Sequence, residues 1–307
     1  MLEKISEEYS ALLYDIAIDV CWRQWSTLGA PAGGNMPAAQ SIIDPEALVL
    51  FSLELRREER RLIDFAAWLA RTAPHLVSVQ RVKSVARNFD ASGLALFAKM
   101  ATQSGDRRWS RLASEAPEDS WRPGKGSSTL NLDQLAALTL KLRAGFGPGT
   151  RADVLSFLIG FSGARATIRE IAAATAYTAT AVRSALQDMQ AAGFVTSSRQ
   201  GTAAYETDSE KWLMLLYDRQ LAAPRVRDWA GLFRFVRDSI VVLARAKTDS
   251  DAILLATAVR DVYERNEHTF ELNGIPAPRP GEGLGVAYLD TFGETLRGIK
   301  DWAGRNV

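Results

Sequence analysis

The spacing of residues between Thr167 and Val195 constrains the fold of this chain more than any other feature. Thr167 and Glu170 have the spacing of a capping box, in which the two side chains satisfy each other's backbone amides at the start of a helix. The helix that follows is short and rich in alanine, and its pattern ends near Thr175. Because small side chains let a helix approach its neighbour closely, this pattern predicts a closely packed helix over 168–175.

A second helix is predicted directly after a turn at Ala176 and Tyr177. Thr178 is a good N-cap residue, and Gly193 stands where a helix is ended by a left-handed glycine. The predicted helix covers 179–192. Its apolar face consists of Val182, Ala185, Leu186 and Met189. Its opposite face consists of Ala179, Thr180, Arg183, Ser184 and Gln187.

Two strands are predicted after this helix. Residues 194–198 alternate as a strand, 199–201 have turn composition, and 202–207 form the returning strand. A further helix over 151–160 precedes the pair of helices. Three helices followed by a two-stranded hairpin are the parts of a winged helix-turn-helix.

The rest of the chain has mostly helical patterns, so the expected fold class is mainly α with a central winged helix-turn-helix. We predict an N-terminal helical domain over 1–114, a linker over 115–131, a winged helix-turn-helix domain over 132–211, and a C-terminal helical region over 212–307. The linker follows from Pro, Gly, Ser and charge without periodicity. In the N-terminal domain, Asp44, Pro45 and Glu46 mark a helix start.

The net charge gives no support to a nucleic-acid role, since 37 basic residues oppose 36 acidic ones. Local segregation is clearest between Arg81 and Arg111, where seven basic residues face two acidic ones. This segment is either a phosphate-facing surface or scattered solubilising charge. The winged helix itself is nearly neutral. Further cations flank it, namely Lys141, Arg143, Arg151, Arg225, Arg227, Arg234 and Arg237.

The stretch REIAAATAYTATAVRSALQDMQAAGFV, followed by RQGTAAYET, resembles the winged helix-turn-helix of MarR-like and ArsR-like bacterial transcriptional regulators. The resemblance covers about 60 residues. The matching positions are Glu170, Ile171, Ala172, Thr178, Val182, Leu186, Met189, Gly193, Phe194 and Val195.

This resemblance implies a sequence-specific regulator that binds double-stranded DNA, with helix 179–192 in the major groove and the 199–201 wing on the backbone or minor groove. Arg183 would pair with guanine and Gln187 with adenine. Thr167 and Thr178 would direct helix N-termini towards phosphates. The residues implied in DNA binding are Thr167, Thr178, Thr180, Arg183, Ser184, Gln187, Arg199 and Gln200.

Other functions stay open. An adaptor or antitoxin-like protein would use the same domain for protein contacts. An enzyme is the least supported class, because no catalytic motif is present, and neither a cofactor nor a metal site is expected. His75, His268 and the single Cys21 lack sequence partners. We expect a cytoplasmic homodimer with no membrane segment, and a small-molecule effector in the helical parts is a further expectation.

Overall fold

The computed structural model describes residues 2–32, 36–114, 128–198, 202–249, 252–276 and 285–307. Within these ranges the chain forms fourteen α-helices and one small antiparallel sheet. The mainly α-helical fold class is therefore confirmed. Most of the predicted linker, 115–127, lies outside the described residues.

The helices are α1 (Leu2–Thr27), α2 (Pro45–Glu54), α3 (Arg61–Thr72), α4 (Val79–Val85), α5 (Ala91–Gln103), α6 (Ser110–Ala113), α7 (Leu138–Phe146), α8 (Thr150–Gly160), α9 (Ile168–Thr175), α10 (Ala179–Ala191), α11 (Ser209–Tyr217), α12 (Trp229–Asp249), α13 (Ala252–Asn273) and α14 (Tyr288–Asn306). The strands are β1 (Ala166–Thr167), β2 (Thr196–Ser197) and β3 (Ala204–Glu206).

The chain forms two compact units. One comprises Met1–Arg23 with Arg227–Val307, and the other comprises Gln24–Val226. The boundary between them falls within α1. The domain limits drawn from the sequence stay a prediction.

The unit of α12, α13, α14 and most of α1 has an aromatic core. Tyr9 packs edge-on against Phe292, with 5.8 Å between ring centroids, and its hydroxyl donates to the Leu289 carbonyl at 2.9 Å. The buried Trp302 indole donates to the Asn273 carbonyl at 3.0 Å. Apolar rings with a satisfied polar atom suit a buried helix interface.

In the other unit, α2 begins as the sequence predicts. Asp44 caps it by accepting from the Ala47 amide at 3.1 Å, and Pro45 occupies its first turn. Nearly the whole helix is buried, including Glu46. A helix that is buried on all sides lies inside the core. Its one buried carboxylate therefore needs cations or hydrogen-bond donors as partners.

The winged helix occupies the second half of this unit. Helices α8, α9 and α10 share an apolar core with β3 and α11. Core side chains from these elements include Val154, Leu158, Ile171, Val182, Leu186, Met189, Tyr205 and Leu213. The predicted apolar face of α10 is therefore confirmed as buried.

The sheet has three strands in the order β1-β3-β2. Ala166 pairs with Tyr205, and Thr196 pairs with Glu206, both in antiparallel register. The strands of the wing are shorter than predicted. The sequence pattern does not predict β1, because a strand of two residues is too short to show alternation of buried and exposed side chains.

Candidate nucleic-acid interface

Helix α9 begins with the predicted capping box. The Glu170 carboxylate accepts from the Thr167 amide at 2.7 Å and from the Thr167 hydroxyl at 2.8 Å, while the Glu170 amide donates back to that hydroxyl at 3.3 Å. Hydrogen bonds, first from the Thr167 amide and then from its hydroxyl, hold the pKa of Glu170 below its ordinary value. A fixed carboxylate therefore sits at the N-terminus of α9.

Helix α10 begins differently. Thr178 is the N-cap, and its hydroxyl accepts from the Ala181 amide at 3.2 Å. The first turn contains no acidic residue. The partial positive charge of a helix N-terminus is therefore not opposed by a side chain at this end.

The solvent face of α10 brings the predicted contact residues together. Six exposed residues lie on it, namely Thr178, Ala179, Thr180, Arg183, Ser184 and Gln187, and Asp188 and Gln190 of the same helix are also exposed. Arg183 has no ion-pair partner among the described residues. Residues at spacings of three and four lie side by side on a helix, so this face presents a continuous polar strip.

The end of α10 is fixed by Gly193, which has a φ of +74°. The Gly193 amide donates to the Gln190 carbonyl at 3.0 Å, and the Phe194 amide donates to the Met189 carbonyl at 2.9 Å. This pair of bonds is a Schellman motif. The Gln190 side chain also donates to the Ser197 hydroxyl at 3.1 Å, which ties α10 to β2.

The described wing residues between β2 and β3 include Thr202 and Ala203, which are exposed. The Ser198 amide donates to the Ala204 carbonyl at 2.9 Å, which continues the hairpin towards its tip. Arg199 and Gln200, the wing residues implied in DNA binding, lie outside the described residues. Thr167 is half-buried as the last residue of β1, and its side chain is engaged in the capping box of α9.

Most other cations of the domain are paired with carboxylates. Arg151 bonds to Asp188 beside the solvent face of α10. Arg165 bonds to Glu206 at 2.7 Å, and its hydrogen bond lowers the pKa of that carboxylate. Lys211 bonds to Asp208 at 2.7 Å. These exposed pairs neutralise positive charge on the domain surface.

Arg143, one of the cations that flank the winged helix in the sequence, adds no positive charge to its surface. Its side chain is fully buried. It donates to Asp153 of α8 at 2.6 and 2.8 Å and to Glu46 of α2 at 2.6 and 3.1 Å. Burial alone would lower the pKa of Arg143, but the two carboxylates raise it far above its ordinary value.

Arg81 belongs to the same buried cluster, which removes it from the basic segment considered as a phosphate-facing surface. It donates to Asp44 at 2.5 and 2.7 Å and to Glu46 at 2.7 Å. Burial would raise the pKa of Asp44, but the charge and hydrogen bonds of Arg81 outweigh burial and lower it. Other cations of that segment, Lys83, Arg87, Arg107 and Arg111, are exposed.

We call Arg81, Arg143, Asp44, Glu46 and Asp153 the buried charge cluster. Sequence reasoning missed it because its members come from four separate segments. The one available signal was Glu46 in an otherwise apolar helix, EALVLF, where a carboxylate that faces the core must find a cation.

An exposed aromatic patch lies near the base of the wing. Phe194, Trp212 and Phe146 pack edge-on, with 5.2 Å between the centroids of Phe194 and Trp212. Phe146 is 50% exposed, and the neighbouring Leu215 of α11 is 74% exposed. Large apolar side chains grouped on a surface are typical of contact sites.

Comparison with known protein families gives one match, which lies in the winged helix region. Residues 148–203 match the model of the MarR family. No curated protein and no solved structure matches the chain. Among the described residues, none of the helices has the length and apolar character needed to cross a membrane. The matched range spans α8, β1, α9, α10 and β2 and ends just before β3, so the central region of this chain is a MarR-like winged helix domain.

Proposed function

We propose that this protein is a sequence-specific DNA-binding transcriptional regulator. The observation that carries the proposal is the solvent face of α10, a polar strip with one unpaired arginine and an N-terminus free of acidic residues, within a MarR-like domain. A helix of this kind enters the major groove with its N-terminal part.

In this proposal the side chains of α10 have distinct tasks. Arg183 donates two hydrogen bonds to guanine, and Gln187 pairs with adenine. Thr180 and Ser184 contact base edges or phosphates, and the α10 N-terminus at Thr178 faces a phosphate. Arg199 and Gln200 contact the minor groove or backbone. Thr167 is the weakest member of the set, because Glu170 places a negative charge beside it.

A charge-poor domain needs further cations to hold DNA, since affinity depends on how many phosphates are neutralised. We therefore propose a homodimer, in which two copies double every contact. The measurement is equilibrium sedimentation of the full chain at micromolar concentration. A monomeric mass at that concentration would refute the proposed homodimer. The small-molecule effector and the cytoplasmic location stay predictions.

The test of DNA binding is a salt series with the DNA upstream of the protein's own coding region and with a scrambled duplex. Arg183→Ala is expected to weaken binding to the upstream DNA by about 1–3 kcal/mol and to reduce discrimination against the scrambled duplex, with little change in the salt slope, because Arg183 is proposed to contact a base and not a phosphate. Arg183→Lys is expected to keep the slope but lose discrimination, because lysine lacks the paired donors of arginine.

Arg265→Ala is the matched control, since Arg265 is exposed but belongs to α13 of the other compact unit. It should leave both duplexes bound as in the wild type. Absence of binding at low salt, or an Arg183→Ala variant that binds as tightly as the wild type, would refute the DNA-binding proposal.

The second candidate function is an adaptor or antitoxin-like protein that uses the winged helix for protein contacts. The exposed patch of Phe146, Phe194, Trp212 and Leu215 favours it. The same salt series separates the two functions, because an adaptor would bind the upstream and scrambled DNA equally weakly.

A further inference from the structure

The turn between α9 and α10 is held by side chains from outside the helix-turn-helix. Ala176 adopts a left-handed conformation with a φ of +57°, which reverses the chain between the two helices. The residues on either side of it, Thr175 and Tyr177, are both buried. Each makes a hydrogen bond to a residue far away in sequence.

Tyr177 bridges two other elements. Its hydroxyl donates to the Asp153 carboxylate of α8 at 2.8 Å and lies 3.2 Å from the Ser78 hydroxyl. Ser78 is the N-cap of α4, where it accepts from the Arg81 amide at 3.2 Å. Since Ser78 and Tyr177 are 99 residues apart, this contact joins the N-terminal helices to the turn.

Arg81 holds the turn from its other side. Its Nε donates to the Thr175 carbonyl at 3.0 Å, at the end of α9. The guanidinium is itself fixed by Asp44 and Glu46 on α2. The buried charge cluster therefore supports both hydrogen bonds, since Asp153 also accepts from Arg143.

These contacts act close to the start of α10. Thr178, its N-cap, follows Tyr177 directly. A helix of 13 residues is about 20 Å long, so a small rotation at the turn displaces Arg183 and Gln187, further along the helix, by more than Thr178 at its start. Base-edge hydrogen bonds tolerate displacements of only about 0.5 Å, whereas attraction to phosphates acts over a Debye length of about 10 Å.

We propose that Tyr177 is a positioning residue for α10. Its hydroxyl, held by Asp153 and Ser78, sets the orientation of α10 and makes base discrimination depend on the N-terminal helices α2 and α4. This inference rests on the proposed DNA-binding function.

The experiment uses the full chain with Tyr177→Phe, which keeps the ring and removes the hydroxyl. Tyr205→Phe is the matched control, because Tyr205 is a buried tyrosine of the same domain whose hydroxyl has no hydrogen bond within the described residues. The ratio of affinities for upstream and scrambled DNA should fall about tenfold in Tyr177→Phe. The salt slope should stay unchanged, since no phosphate contact is lost.

A ratio within twofold of the wild type, or an equal fall in Tyr205→Phe, would overturn the proposal. A fall in affinity for both duplexes alike would also overturn it, because it would indicate general damage to the domain.

A second measurement does not depend on DNA. Hydrogen exchange of the free protein should show amides of 178–186 exchanging about tenfold faster in Tyr177→Phe, with α13 unchanged as an internal reference. Unchanged exchange in 178–186 would refute the positioning role. If the wild type binds no DNA, the proposed function is refuted. Faster exchange of 178–186 in Tyr177→Phe would then still show that Tyr177 positions α10.

Discussion

The buried side of the helix-turn-helix and the solvent side of α10 differ in where they place charge. The buried charge cluster contains two arginines and three carboxylates, all joined by direct hydrogen bonds. The solvent face of α10 contains one arginine among threonine, serine and glutamine. The side expected to meet DNA is thus the poorer in cations.

This difference indicates two distinct uses of charge. Buried ion pairs add little net stability, because desolvation offsets their attraction, but removing one partner is strongly destabilising. Their fixed geometry suits the support of a turn. In the proposed function the solvent face would contact DNA through Arg183 and neutral hydrogen-bonding groups, and these contacts would depend on that geometry.

The largest effect is expected from Arg143→Met, which leaves Glu46 and Asp153 buried without their shared cation. The free energy of unfolding should fall by about 3–5 kcal/mol. Arg183→Met makes the same change on the solvent face and should alter it by less than about 0.5 kcal/mol. Urea unfolding measures both. Equal losses would show that the two arginines do not differ in structural role.

A smaller effect is expected from Asp44→Asn, which removes a charge from the hydrogen bonds of Arg81. The free energy of unfolding at neutral pH should fall by about 1.5–3 kcal/mol. Because the pKa of Asp44 is lowered in the folded protein, its contribution is present above the ordinary pKa of about 4 and is lost as the pH falls through the folded value.

The pH dependence is measured by urea unfolding between pH 7 and pH 2, a range chosen to span the ordinary carboxyl pKa of about 4. Asp44→Asn should flatten the acid loss of stability, because the lowered pKa of Asp44 is then absent. A variant that follows the wild-type pH profile would contradict the role of Asp44.

A still smaller loss of stability is expected when the N-cap of α10 is removed. Thr178→Ala removes the N-cap bond to the Ala181 amide and should lower the free energy of unfolding by about 1 kcal/mol. Thr180→Ala, two residues along the same helix, should cost nothing, because alanine is the better helix former. Thermal unfolding of both variants measures these changes. A similar loss of stability in each would exclude a specific capping role for Thr178.

The smallest effect on stability is expected from Asp188→Asn. It breaks the exposed pair with Arg151, which should change the free energy of unfolding by less than about 1 kcal/mol. It also frees a cation beside α10, so DNA affinity should rise and the salt slope should steepen by about 1. Weaker binding in the same salt series would place Arg151 away from DNA.

The local features of the winged helix were predictable from the sequence. The capping box at Thr167, the cap at Thr178 and the glycine at Gly193 each depend on residues a few positions apart, and all three are confirmed. The apolar face of α10 follows from helical spacing alone. How the exposed residues contact DNA stays a prediction.

The features that the sequence did not predict depend on contacts between residues far apart in the chain. Arg143 and Glu46 are 97 residues apart, and nothing near Arg143 in the sequence distinguishes it from a surface cation. Likewise, Ala166 becomes a strand only because Tyr205 of β3 lies beside it. Sequence patterns report local periodicity, whereas tertiary partners decide burial and pairing.

The third strand has a consequence for the thermodynamics of binding. A hairpin alone is marginally stable in water, but β1 joins the base of this wing to the segment that leads into α9. The backbone at that base is thus ordered before any partner arrives. Less conformational entropy is then lost on association, which favours a tighter complex for the same set of contacts.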